Sequence, residues 1–238
     1  HKSSYDWLIA NYTLNLCNSY QSLVVPKSSN FDDYITCHTG NFNDSQYSKS
    51  ALKYLSNRKI PQKLIDNLNI RLGKDEMFGR VVFVDEINKY YMGRAFLPFV
   101  NPKTMNPLGN LKPLMYFDKN RIDTLHLVEG VFDLIPFIKT NRNVCALLGK
   151  DIALSQLKQL SESKVSEIVI CLDSDARSSI FRLADKIISY FPTVSIGFLD
   201  YKKLNCKFKD PGDYDIKLFD SVNLIWIRKL DFEKLNAI

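Results

Sequence analysis

The sequence predicts an α/β fold in which a mostly parallel sheet occupies the second half, after a smaller basic domain of mixed α+β structure. Two short apolar runs carry this prediction, Leu-His-Leu-Val at residues 125–128 and Ile-Val-Ile-Cys-Leu at residues 168–172. Such runs are typical of parallel strands buried on both faces. A helical pattern at residues 155–163 lies between them, so the chain can cross over and return in the same direction.

The other elements of the second half follow from the same patterns. A strand is predicted at residues 144–148, and Gly149 then forms a turn. The helix after it places three leucines on one face, Leu154, Leu157 and Leu160. The remaining predicted elements are a helix at 177–189 with Ile180, Leu183, Ala184, Ile187 and Ile188 facing inward, a strand at 194–199, an edge strand at 224–227 and a helical tail at 231–238. We assign residues 121–220 to the sheet domain and 221–238 to the edge strand and tail.

The first half predicts a helical hairpin followed by a β-hairpin, within a domain at residues 49–120. A helix at residues 48–58 is capped by Ser48 or Ser50, and a shorter helix follows at 62–68. Residues 79–84 and 89–94 then form two strands around a turn at 85–88, and a connector runs from 101 to 113. Residues 1–48 are an N-terminal segment or linker, helical or mixed near its start, that wraps on the basic domain.

The positive charge is concentrated in the first half. The net charge is +6, and residues 50–120 alone contain twelve Lys and Arg against six Asp and Glu. A basic domain of this kind is suited to a polyanionic partner such as nucleic acid. No apolar run approaches the roughly 20 residues that a membrane span needs, so no membrane partner is expected.

The cysteines indicate a reducing compartment. Five are spaced widely along the chain, and Cys145 and Cys171 lie inside predicted strands. Cys17, Cys37 and His38 lack a Cys-x-x-Cys partner. A structural zinc site needs four ligands, so zinc is not expected within this chain.

Carboxylates follow both central strands. Glu129 and Gly130 come directly after the first, and Asp173 and Asp175 after the second. Open α/β sheets bind ligands at the carboxyl ends of their strands, and clustered carboxylates repel one another unless a cation lies between them. Mg²⁺, or Mn²⁺ in its place, suits such an all-oxygen site. The alternative for Asp175 is a helix cap.

These acids occur in an order that resembles a known family. Glu129-Gly130 with Asp133, then Gly149, then Asp173-Ser-Asp175, then Lys209-Asp210-Pro211 resembles the TOPRIM domain, and the Asp-Pro ending is similar to its DnaG-type primase branch. The resemblance implies metal binding by Glu129, Asp173, Asp175, Asp210 and Asp133, with the first three catalytic. Asp133 is otherwise an acid at a helix N-terminus. Gly212 stands where the family often has a second aspartate, and Ala176-Arg177 where it usually has Ala-Gly.

The basic half carries further similarities to the primase RNA-polymerase core. Leu-Ser-Asn-Arg-Lys-Ile at 55–60 is similar to a segment of that core, with Lys59 in place of its glycine, and Gly79-Arg80 and Gly93-Arg94 are similar to its two Gly-Arg motifs. Lys-Thr-Met-Asn at 103–106 has Thr104 in place of the family's tyrosine. The resemblance implies a role in nucleotide or template binding for Arg58, Arg80, Arg94, Lys103, Lys112 and Lys209. The alternatives are a helix-end charge for Arg58, an exposed sheet face for the two hairpin arginines, and a plain connector around Lys103.

The resemblance implies a DNA primase core that makes short RNA primers from ribonucleoside triphosphates with Mg²⁺. Its partners would be single-stranded DNA, the RNA primer and a replicative helicase, in the cytoplasm of a bacterium or phage-infected cell, or in an organelle. The chain begins with His1, so we expect sequence upstream of it, where related primases often carry a zinc ribbon.

Two other functions remain open. The first is a TOPRIM metal-dependent nuclease, against which the Gly-Arg hairpin argues. The second is a non-catalytic nucleic-acid-binding or replisome module, because fold alone does not establish catalysis. A topoisomerase would need a tyrosine nucleophile in another domain.

Overall fold

The chain divides into two compact units, His1–Asn110 and Leu111–Ile238. The structure, a computed structural model, describes residues 30–107, 111–173, 176–199, 220 and 224–227. The division falls before the boundary expected after residue 120. Its position follows from Met115, which forms an antiparallel bridge with Ala146 of the second unit. Within these described ranges, no helix is long and apolar enough to cross a membrane.

The first unit contains an antiparallel sheet of five strands in sequential order. The strands are β1 Thr39–Gly40, β2 Ile70–Gly73, β3 Arg80–Asp85, β4 Tyr90–Ala95 and β5 Thr104–Met105. The helices are α1 Phe31–His38, α2 Gln46–Asn57 and α3 Gln62–Asn67, with a 3-10 turn at Asp75–Met77. The predicted hairpin is confirmed, because β3 pairs with β4 from Arg80 opposite Ala95 to Asp85 opposite Tyr90.

Helix α1 lies in a stretch that we expected to be a linker. Its Ile35 is buried and packs with Val82, Val84 and Tyr91 of the sheet and with Met77. The polar composition of residues 31–40 hides this contact, because one buried isoleucine is too little to give a helical period. Residues 1–29, which include the helical or mixed segment expected near the start, lie outside the described ranges.

Helix α2 begins earlier than predicted and ends in a left-handed residue. Its N-cap is Ser45, whose hydroxyl accepts the amide of Ser48 at 3.2 Å, so the caps expected at Ser48 and Ser50 are wrong. At the other end Lys59 has φ 60. The amide of Ile60 donates to Leu55 and that of Lys59 to Ser56, which is the Schellman arrangement.

The second unit contains the predicted sheet. Its strands are β6 Leu125–Val128, β7 Asn143–Ala146, β8 Glu167–Cys171, β9 Ser195–Leu199 and β10 Leu224–Ile227, in the order β10-β9-β8-β6-β7. β6 pairs parallel with β7 and β8, and β8 pairs parallel with β9. β10 lies at the edge, antiparallel to β9. The predicted α/β class and edge strand are therefore confirmed.

In the described part of the second unit, the parallel strands are connected by three helices, α4 Leu134–Lys139, α5 Leu154–Ser161 and α6 Arg177–Tyr190. The five inward-facing residues predicted for α6 are all buried in the core. On α5, Leu157 and Leu160 are buried, but Leu154 is 67% exposed. The prediction for Leu154 is wrong because it is the first residue of the helix, where the chain has not yet turned toward the sheet. The tail expected at 231–238 lies outside the described ranges.

Candidate functional site

Two of the predicted acids follow neighbouring strands of the parallel sheet. β6 and β8 pair from Leu125 opposite Ile168 to Val128 opposite Cys171. Glu129 comes one residue after this last pair on one strand, and Asp173 two residues after it on the other. Paired strands lie about 4.8 Å apart. The fold therefore brings Glu129 and Asp173 to one edge of the sheet, where open α/β sheets place their ligands.

The side chain of Glu129 has a buried oxygen with no hydrogen-bond partner. Its Oε2 is shielded from solvent and has no such partner among the residues that the structure describes. Buried carboxylate oxygens normally accept hydrogen bonds or bind a cation, so this oxygen fits a hard metal ion such as Mg²⁺. Among the residues that the structure describes, no group of three or more His, Cys, Asp and Glu could hold a metal ion.

The other predicted acids differ in their positions. Asp133 is 9% exposed, and its Oδ2 accepts the amide of Gly130 at 2.8 Å. It thereby holds the turn that leads from Glu129 into α4. The carbonyl of Asp173 accepts the amide of Ala176 at 2.9 Å, at the start of α6. Asp175, Asp210 and the basic residue Lys209 lie outside the described ranges, so their contribution to this edge remains a prediction.

A turn after β7 lies beside Glu129. The amide of Leu147 donates to the carbonyl of Val128 at 2.9 Å, and that of Gly149 to the carbonyl of Glu129 at 3.2 Å. Leu148 has φ 57 and Gly149 φ 151. Residues other than glycine rarely adopt positive φ, and the φ of Gly149 is one that glycine alone adopts readily. The predicted turn at Gly149 is therefore tightly bent and strained at Leu148.

Lys112 reaches the same turn. Its ammonium donates to the carbonyl of Leu148 at 3.1 Å. Partial burial of the side chain lowers the pKa of Lys112 below its usual value, and the negative charge of Asp151 opposes this shift. Lys112 thus brings positive charge to the acidic edge of the second unit.

A polar bracket, formed by Ser155 and Gln156 at the start of α5, holds the segment that carries Lys112. The hydroxyl of Ser155 donates to the carbonyl of Lys112 at 2.8 Å. The Nε2 of Gln156, which is fully buried, donates to the carbonyls of Pro113 at 2.8 Å and Leu147 at 2.9 Å. This bracket was not predicted from the sequence. Its available signal was a polar residue beside Leu157 on the inward side of an amphipathic helix.

The two Gly-Arg motifs of the first unit place their arginines on opposite faces of the sheet. Arg80 lies opposite Ala95, and Arg94 lies opposite Val81, so the two side chains alternate. Arg80 is 4% exposed, and its guanidinium donates to the carbonyls of Phe78 at 3.3 Å and Pro102 at 2.9 Å. Arg94 donates to the hydroxyl of Thr104 at 3.0 Å. Neither arginine lies on an exposed face, and their roles toward nucleic acid stay predictions.

Each glycine of these motifs has a packing reason. A Cβ added at Gly93 would lie 3.0 Å from Cδ of Arg80, so Gly93 makes room for that buried side chain. Gly79 has φ 77, and a Cβ there would meet the side chain of Val100. Close approach of a phosphate is therefore not needed to explain either glycine.

The remaining basic residues predicted for the first unit lie at its surface. The guanidinium of Arg58 is 5.7 Å from the ring centroid of Tyr54, a cation–π contact at the end of α2. The ammonium of Lys103 donates to the carbonyl of Pro98 at 2.6 Å. Both side chains are exposed, and a nucleotide or template role for Arg58 and Lys103 stays a prediction.

Comparison with known sequences identifies the sheet of the second unit. Residues 126–212 match the sequence family described as Toprim-like. This segment is thus similar to TOPRIM-like domains. The match begins within β6 and includes the strand ends that carry Glu129 and Asp173.

Solved structures show a similar fold over more of the chain. The DnaG catalytic core has a TM-score of 0.54 at 14% identity, over 83% of this chain and 71% of that one. The DnaG primase catalytic domain bound to ssDNA has a TM-score of 0.56 at 16% identity, over 96% and 78%. The RNA polymerase domain of Mycobacterium tuberculosis primase DnaG has a TM-score of 0.54 at 11% identity, over 100% and 84%. The resemblance to a DnaG-type core is thus confirmed at the level of the fold.

A curated relative matches part of the chain. The uncharacterized protein MG010 homolog of Mycoplasma pneumoniae is 29% identical over 145 residues, which are 60% of this chain. The match spans 62% of the length of that relative.

Proposed function

We propose that the chain is the catalytic core of a DNA primase, which copies single-stranded DNA into short RNA primers from ribonucleoside triphosphates. The observation that carries this proposal is the pairing of β6 with β8, which brings Glu129 and Asp173 to one edge of the TOPRIM-like sheet. Similarity to DnaG catalytic cores in both fold and motif order supports it.

The acidic edge would hold Mg²⁺, or Mn²⁺ in its place. TOPRIM domains generally bind Mg²⁺, and Glu129, Asp173, Asp175 and Asp210 are the residues that would hold it here. When bound, Mg²⁺ stabilises the negative charge that develops on a transferring phosphoryl group. The fit rests on the buried Oε2 of Glu129, which has no hydrogen-bond partner within the described part of the chain.

The chain's own basic residues would orient the substrates. Lys112 places an ammonium at the turn beside Glu129, where it can attract a triphosphate. In the first unit, Arg58 and Lys103 present charge at the surface, which suits contacts to a phosphate backbone that do not depend on sequence. A replicative helicase and a location at the replication fork, in a bacterial or phage-infected cytoplasm or an organelle, belong to the same proposal.

Primer synthesis tests the proposal directly. Labelled ribonucleotides, Mg²⁺ and single-stranded DNA should yield short RNA with the wild-type chain. Asp173→Asn keeps the size of the side chain and removes its charge, so we expect synthesis to fall by about 100-fold or more, as loss of several kcal/mol of charge stabilisation implies. Glu162→Gln is the matched control, because Glu162 is an exposed acid at the end of α5.

The rival functions give different results in this assay. Cleavage of DNA that depends on Mg²⁺, without synthesis, would identify a nuclease. Binding of single-stranded DNA with neither activity would identify a non-catalytic module. Full synthesis by Asp173→Asn would contradict the assignment of the acidic edge.

A further inference from the structure

The ammonium of Lys112 lies against the bent turn that supports Glu129. Its Nζ is 3.1 Å from the carbonyl oxygen of Leu148, and a Cβ added at Gly149 would lie 3.3 Å from the same Nζ. Lys112 thus contacts the turn at the residue before the amide that binds Glu129. Lys112 is therefore linked to Glu129 through the backbone of two consecutive residues, Leu148 and Gly149.

This turn has a strained backbone and also supports Glu129. Leu148 and Gly149 both have positive φ, 57 and 151, and strained backbone persists only where the surroundings hold it in place. The amide of Gly149 donates to the carbonyl of Glu129 at 3.2 Å. A turn that relaxed at Leu148 would withdraw this amide. Glu129 would then lose a contact that fixes its backbone at the end of β6.

The backbone at Lys112 and Pro113 is also held in place by hydrogen bonds. The carbonyl of Lys112 accepts the hydroxyl of Ser155 at 2.8 Å, and that of Pro113 accepts Nε2 of Gln156 at 2.8 Å. The same Nε2 donates to Leu147 at 2.9 Å, at the start of the turn. The polar bracket therefore holds both the segment of Lys112 and the start of the turn at Leu147. The ammonium of Lys112 holds the next residue of the turn, Leu148.

We propose that Lys112 is a positioning residue for Glu129, which acts by holding the carbonyl of Leu148. This inference rests on the proposed function only for its catalytic consequence. A lysine that only bound a triphosphate would change the binding of the nucleotide and leave the turn as it is. A lysine that holds the turn affects the Gly149 amide even when no substrate is present.

Amide hydrogen exchange of the full chain, without nucleotide or metal, separates these roles. We expect exchange of the Gly149 amide to be at least tenfold faster in Lys112→Met than in the wild type, because the strained turn opens more often. Lys112→Arg keeps a donor and should stay within about threefold of the wild type. Lys158→Met, at an exposed position of α5, should change nothing.

The Ile170 amide in the core strand β8 is the internal reference for global unfolding. Unchanged exchange at Gly149 in Lys112→Met, or equal acceleration at Gly149 and Ile170, would overturn the inference. In the synthesis assay, Lys112→Met should raise the Mg²⁺ concentration for half-maximal activity. If the wild type made no primers, the proposed function would fail, and the exchange comparison would still decide the role of Lys112.

Discussion

The backbone amide of Gly149 donates a hydrogen bond of 3.2 Å to the backbone carbonyl of Glu129, directly after β6 ends. This bond joins the glycine and the glutamate of two motifs that are twenty residues apart in the sequence. Gly149 has φ 151, a conformation that only glycine adopts readily, and this conformation directs its amide toward Glu129. The bond therefore explains why a glycine is needed in the turn after β7.

Gly149→Ala should weaken both the fold and the site. At φ 151 a Cβ is strained, and it would lie 3.3 Å from the ammonium of Lys112. We expect a loss of about 1–3 kcal/mol in the free energy of unfolding, measured by urea denaturation, and a fall in primer synthesis. Lys150→Ala, at the exposed next residue, is the control. Equal stability of wild type and Gly149→Ala would show that the turn is not strained.

Lys59→Gly should stabilise the first unit. Lys59 has φ 60 at the end of α2, a conformation that costs roughly 1 kcal/mol in a residue with a Cβ. Glycine removes that cost, so we expect a gain of about 0.5–1 kcal/mol in thermal or urea unfolding. Lys53→Gly, within the same helix, should instead destabilise by about 1 kcal/mol. A loss of stability in Lys59→Gly would contradict the assigned conformation.

Gln156→Glu should lower the free energy of unfolding far more than Gln159→Glu does. The buried amide nitrogen of Gln156 donates to two carbonyls, so a carboxylate there would face two acceptors, and we expect a loss of about 3 kcal/mol or more. Gln159 instead accepts the amide of Leu114 through Oε1 at 2.6 Å, and a carboxylate can still accept it. Comparison of urea midpoints tests this, and similar losses in both variants would refute the bracket.

His126 should make the second unit less stable in acid. It is 4% exposed, and its Nδ1 donates to the carbonyl of Asn143 at 3.0 Å. Burial lowers the pKa of His126 from 6.5 to about 4. A depressed pKa means that the unfolded chain takes up the proton first. The stabilising effect is therefore complete above about pH 6.5 and is lost as the pH falls toward 4, by on the order of 3 kcal/mol in total.

The test compares urea unfolding of the wild type and His126→Gln from about pH 7 to pH 5. We expect the wild type to lose more stability over this range than the variant does, with a difference approaching 1.4 kcal/mol per pH unit. Parallel pH profiles for the two proteins would show that His126 is not buried in its neutral form.

The strands around the acidic edge were predictable because each is a short apolar run followed directly by a polar residue. Residues 125–128 and 168–172 each give way to an acid, and parallel pairing then puts both acids at one edge. The inward side of α6 was predictable for the same reason, since its five apolar residues repeat with the helical period. The fold class needed no information beyond these patterns.

The supporting contacts were not predictable, because they join residues far apart in the sequence through backbone groups. Nothing local in the sequence shows that Lys112 reaches Leu148, or that Gln156 holds Pro113 and Leu147. The Gly-Arg motifs do not show on which face of the sheet each arginine lies, because this depends on how the two strands pair. That register places Arg80 and Arg94 on opposite faces.

Iron-mediated cleavage tests most directly whether Glu129 and Asp173 serve one metal ion. Fe²⁺ replaces Mg²⁺ in the full chain, and added hydrogen peroxide is reduced at the bound ion to hydroxyl radicals that cut the nearby backbone, with ascorbate returning Fe³⁺ to Fe²⁺. We predict cuts close to both residue 129 and residue 173, with both sets lost together in Asp173→Asn and retained in Glu162→Gln. Cuts near only one of the two positions, or cuts near residue 129 that persist in Asp173→Asn, would contradict a shared site.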